Sequence, residues 1–108
     1  MRYQVRLTKT AEADVESVLR WFASQRARTA GAAWLSSLMA RIETLETNPD
    51  RCRVADESEE IGGEIRALLF GKRRGMYRLL FRIERQTVHL LRVWHTARDT
   101  PTRDDLEQ

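Results

Sequence analysis

The hydrophobic residues of this chain change period twice, and that switch restricts the folds open to it more than any other feature. From Arg2 to Leu7 the period is two: Tyr3, Val5 and Leu7 point one way, Arg2, Gln4 and Arg6 the other. That is the pattern of a half-buried strand. Thr8 then offers an N-cap oxygen, and Ala11, Val15, Val18, Leu19 and Phe22 recur at helical spacing to about Gln25. Arg26 to Gly31 interrupts the stripe. A second helix follows, with Leu35, Leu38, Ile42 and Leu45 on one face, and it stops before Asn48-Pro49. Helices joined so tightly predict an antiparallel hairpin.

The period of two then returns. Glu64 to Phe70 is apolar enough for a strand. Met76 to Glu84 alternates, with Tyr77, Leu79, Phe81 and Ile83 on one face and Met76, Arg78, Leu80 and Arg82 on the other. Arg85-Gln86 is expected to turn the chain into a last strand, Thr87 to His95. The core face of that strand stays open, because Leu90 and Leu91 are both apolar. Arg51 to Gly63 reads as a polar, acidic surface loop, and the tail from Thr96 is polar, with a short helix after Thr102. The order predicts an α+β domain: an N-terminal strand, an antiparallel helical hairpin, then a three-stranded antiparallel segment, with the hairpin packed on one face of a mainly antiparallel sheet.

At 108 residues the chain is expected to form a single domain over 1–108. The single cysteine, Cys52, excludes an internal disulfide and a cysteine metal cluster. No cofactor or metal is expected, and His89 and His95 stand too far apart on one nominal strand to share an ion. No stretch approaches the roughly 20 apolar residues of a membrane span, and no signal peptide follows Met1, so the expected location is the cytoplasm. There is no Walker loop, nucleophile elbow or Rossmann glycine pattern.

Charge is sharply divided. From Arg66 to Arg98 there are nine basic residues and one acid, Glu84; from Glu43 to Glu64 there are eight acids against Arg51 and Arg53. A basic block inside a folded segment points to a polyanion or an acidic partner. Arg78, mid-strand and opposite the apolar face, can present two donors to a phosphate; its alternative is a pair with a loop glutamate. His95, at the end of the last strand, can move protons near neutral pH; its alternative is a hydrogen bond to backbone. Arg98 lies nearby. Lys72, Arg73 and Arg74 form a basic loop between Gly71 and Gly75 that can follow a phosphate backbone. Trp21, Trp34 and Trp94 read as core or rim packing.

Three segments together resemble the RelE/ParE superfamily of bacterial type II toxins. They are Tyr3-Gln4-Val5-Arg6-Leu7-Thr8 with Ala11 and Asp14; Glu64 to Lys72 with Tyr77-Arg78-Leu79-Leu80-Phe81; and Leu91-Arg92-Val93-Trp94-His95-Thr96-Ala97-Arg98-Asp99. The resemblance spans about residues 3 to 99. It implies a helical hairpin on a twisted antiparallel sheet, growth arrest, and a cognate antitoxin as partner. RelE-like members are metal-free endoribonucleases that cut mRNA on the ribosome. In that case Arg78, His95 and Arg98 would be catalytic, Lys72, Arg73, Arg74, Arg66 and Arg82 would hold nucleic acid, and Glu60 or Glu64 would orient the attacking hydroxyl. ParE-like members instead inhibit DNA gyrase and do no chemistry. This chain has Ala67, Leu68 and Leu69 where RelE carries lysines, and no tyrosine after Tyr77.

Overall fold

A computed structural model of the chain describes residues 2–61, 63–72, 75–97, 101 and 103–106, without the side chains of 61, 103 and 104. Five strands form one sheet in the order β1-β5-β4-β3-β2: β1 (Gln4–Leu7), β2 (Arg53–Val54), β3 (Arg66–Phe70), β4 (Tyr77–Glu84) and β5 (Thr87–His95). Helices α1 (Lys9–Ser24) and α2 (Arg28–Glu43) form the expected hairpin on one face, and α4 (Arg103–Leu106) is the short helix expected after Thr102. β1 runs parallel to β5, and the other pairings are antiparallel.

The period-two readings hold. Leu79, Phe81, Val88, Leu90 and Val93 pack under Ala11, Val15, Leu38, Ile42 and Leu45 of the helical side, with Tyr3, Val5 and Leu7 at the margin. Phe81, Leu38, Leu45, Leu79 and Leu90 are fully buried, and each such side chain contributes about 1.5–3 kcal/mol. A smaller core of Ala55, Ile65, Leu80, Leu91, Trp94 and Leu106 covers part of the opposite face.

The ambiguity at Leu90 and Leu91 is resolved by a β-bulge. Leu80 stands opposite Arg92 and Phe81 opposite Leu90, which leaves Leu91 as the extra residue. Leu90 therefore enters the main core and Leu91 the smaller one. β1 pairs with β5 only as far as Leu90, so α1 seals the remaining edge. Thr8 Oγ1 accepts from Ala11 N–H (3.1 Å), capping α1, and its hydroxyl donates to Leu91 O (3.1 Å). Asp14 Oδ2 accepts the Val93 N–H (2.9 Å), and both of its oxygens receive Arg92 (2.8 Å each).

Two expectations need correction. The Arg26–Gly31 break is shorter than its glycine suggested. α1 ends in a Schellman turn, with Ala27 N–H on Phe22 O and Arg26 N–H on Ala23 O, and Arg26 sits at φ 54°. α2 then starts at Arg28 and includes Gly31, whose missing Cβ would lie 3.0 Å from Phe22 Cβ. That glycine serves close helix packing and does not break the helix. The acidic segment is also more than a surface loop: it holds β2 and α3 (Ser58–Ile61), and Cys52, Ala55 and Glu57 are buried.

Removing one partner of a buried ion pair strands the other. Asp14→Ala is expected to lower unfolding free energy by about 3 kcal/mol, read by urea denaturation. Arg26→Gly relieves a left-handed arginine and is expected to raise it by about 0.5–1 kcal/mol in the same assay.

Candidate functional site

Arg78 on β4 faces the side of the sheet away from the helices, as the alternation predicts, and it is not free. Its guanidinium forks onto Glu57, with Nη1 donating to Oε2 at 2.7 Å and Nη2 to Oε1 at 2.9 Å. Glu57 sits in the turn before α3 and is only 6% exposed. Arg78 holds the Glu57 carboxyl below its ordinary range, chiefly through these hydrogen bonds and against the opposing effect of burial. The same contact raises the arginine. Of the two readings open to Arg78, the pair with a loop glutamate is the arrangement formed. Beside it lies a cavity of about 330 Å³, lined among others by Val54, Ala67, Leu69 and Arg78.

His95 pairs across the sheet with Tyr77, and Arg78 pairs with Trp94. Neighbouring residues on a strand point to opposite faces, so His95 lies on the helical side and Arg78 on the other. The His95 Nδ1 accepts the Ala97 N–H at 3.0 Å, and its ring meets Tyr77 edge-on at 4.9 Å. Burial pushes the Tyr77 hydroxyl pKa up. Both residues line an aromatic groove of about 580 Å³ with Trp21, Phe22 and Trp34. Trp21, expected as packing, is 58% exposed at its rim.

The expected catalytic set is therefore not brought together: Arg78 and His95 occupy different faces, and Arg98 lies outside the described residues. Among the expected nucleic-acid residues, Arg73 and Arg74 also lie outside them, and Lys72 is exposed at the β3–β4 loop. Arg66 is engaged internally, donating to Asp50 O (2.9 Å), Cys52 O (2.6 Å) and Glu64 (2.6 Å). It pins the acidic segment to β3. Arg82 stays on the face away from the helices. Glu60 is exposed on α3, and Glu64 is taken by Arg66. Of the loop acids Glu57, Glu59, Glu60 and Glu64, expected from the sequence to be solvated or to send one member to the basic strand, Glu57 is the one that reaches it. Among the described residues no group of three or more His, Cys, Asp or Glu could hold a metal ion, and no helix is long and apolar enough to cross a membrane.

The architecture is thus a helical hairpin on one face of a five-stranded sheet, with β1 returning in parallel beside β5. One solved structure, described as the chromosomal ParDE TA system from P. aeruginosa, superposes with a TM-score of 0.69 at 15% identity, covering 87% of this chain and 96% of that one. No curated protein matches the chain. A family model described as the ParE toxin of the type II toxin–antitoxin system, parDE, matches residues 5–100. The chain belongs to the ParE toxin family.

Because the folded-state pKa of Glu57 is depressed, its pair contributes stability that is present above the unfolded carboxylate pKa and lost as pH falls through the folded one. Glu57→Gln is expected to flatten the acid limb of a stability–pH curve. Arg78→Ala leaves a buried carboxylate without its partner and is expected to cost about 2 kcal/mol at pH 7, less than for a fully enclosed pair because Arg78 reaches solvent. Denaturant melts from pH 3 to 7 check both.

Proposed function

We propose that this protein is the cytoplasmic toxin of a bacterial type II pair, neutralised by a cognate antitoxin, and that it arrests growth by binding DNA gyrase without chemistry of its own. The observation that carries this reading is the segregation of Arg78 from His95. Cleavage of RNA by its own 2′-hydroxyl needs a base, an acid and positive charge around one phosphate. Here the arginine is closed by Glu57 on one face and the histidine is held by Tyr77 and Ala97 on the other. Membership of the ParE family supports the same reading. The aromatic groove, with Trp21 exposed at its rim, supplies the kind of anchor pocket that protein partners use.

The test has two arms. Purified toxin is titrated into a gyrase supercoiling assay, and cells induced for the chain are pulse-labelled for protein and DNA synthesis. Blocked supercoiling and a loss of DNA synthesis with translation continuing are expected. Undisturbed supercoiling at large excess, with transcripts cleaved in the arrested cells, would overturn the reading in favour of ribonuclease action.

A further inference from the structure

β2 is the outermost strand of the sheet, and its outer edge is short and unpaired. Ala55 N–H donates to Ile65 O at 2.7 Å, and Arg53 stands opposite Ala67. Bonded pairs alternate with unbonded ones in an antiparallel ladder. Arg53 and Ala55 therefore direct their backbone groups to β3, and Val54 turns its N–H and C=O outward. Neither group of Val54 has a partner among the described residues. Apolar surface lies beside this edge. Val54 is 41% and Leu69 54% exposed, and both line the cavity beside Arg78, as do Arg53 and Asp56. The charges around Val54 are ordered: Arg51 and Arg53 precede it, and Asp56, Glu59 and Glu60 follow it. All five are exposed, and none forms an ion pair among the described residues.

We infer that this edge binds a second copy of the chain, β2 against β2, antiparallel about a two-fold axis at Val54. Paired in this way, the Val54 N–H of each protomer donates to the partner's Val54 carbonyl, and the two valine side chains meet at the axis. The register sets Arg53 opposite the partner's Ala55 and Cys52 opposite the partner's Asp56. Arg53 of each protomer thus lies beside the partner's Asp56, and Arg51 faces the acidic turn that leads into α3 of the partner. Opposite charges placed across strands favour the pairing. The order of signs selects the occupant. A uniformly acidic segment would meet Asp56, Glu59 and Glu60, and a uniformly basic one would meet Arg51 and Arg53. A reversed copy of the same strand satisfies both ends. The two-fold also closes the contact, so assembly stops at a dimer and the open edge is covered. So short a strand makes a small, weak interface, with a Kd of roughly 10–100 µM. The inference stands apart from the gyrase reading, because it concerns only the association of the toxin with itself.

The test is sedimentation equilibrium of the full chain, from about tenfold below to about tenfold above that Kd. A monomer–dimer equilibrium is expected, and it weakens as salt rises because the charge pairs across the axis are exposed. Val54→Pro deletes the outward N–H and leaves the β2–β3 bonds of Arg53 and Ala55 in place. Two hydrogen bonds per dimer are lost, and dimerisation is expected to weaken about tenfold or more. Arg53→Glu and Asp56→Arg each set like charges across the axis twice, and each is expected to weaken dimerisation about tenfold. An equimolar mixture of those two variants is expected to restore the dimer, because each copy then offers the charge that the other needs. A thermal melt establishes that each variant is folded. A chain that stays monomeric throughout would overturn the inference. So would a folded Val54→Pro chain that dimerises as before, or a mixture that associates no better than its components. A dimer kept in Val54→Pro but lost in Trp21→Ser would reassign self-association to the aromatic groove.

Discussion

The edge of β5 beyond Leu90 is the constraint around which this fold is arranged. β1 is too short to pair with it, and an open edge beside the core would leave backbone donors and acceptors without partners. The chain meets this by turning from β1 straight into α1 and using two side chains of that helix's start. Thr8 caps the helix and donates to Leu91 O, while Asp14 takes the Val93 N–H and the Arg92 guanidinium together. Arg92 also reaches the Asp105 backbone oxygen at 3.1 Å and stacks over Trp94. The C-terminal segment, the last strand and the first helix thus meet at one arginine, and the smaller core closes beneath it.

The acidic and basic halves of the chain find each other in the same economical way. Arg66 and Arg78 reach across from β3 and β4 to the segment between Cys52 and Glu64, one through backbone oxygens and one through a fork on Glu57. Three of the nine basic residues from Arg66 to Arg98, namely Arg66, Arg78 and Arg92, are therefore engaged in internal contacts. On the helical side, the aromatic groove stays open, with Trp21 exposed at its rim.

The strands and helices were legible because burial on one face imposes a period, and the periods of β1, α1, β4 and most of α2 are clean. Gly31 was misread because a helix glycine that admits a neighbouring Phe22 looks, in sequence, like a break. The segment holding β2 and α3 was hidden because its buried carboxylate, Glu57, is polar and only its partner makes burial tolerable. The site was less legible still. Arg78 was placed on the right face, but its partner is a non-local contact. Nothing local reveals that β1 lies beside β5.

The bulge at Leu91 has a consequence beyond packing. Straight alternation continued from Leu90 would carry His95 to the face that holds Arg78; the extra residue shifts the phase and carries it to the other. Strand phase behaves here as a two-valued setting, written by a single residue and read out at the far end of β5. A scaffold of this kind can couple or uncouple two reactive side chains without altering either of them, simply by keeping or straightening one kink.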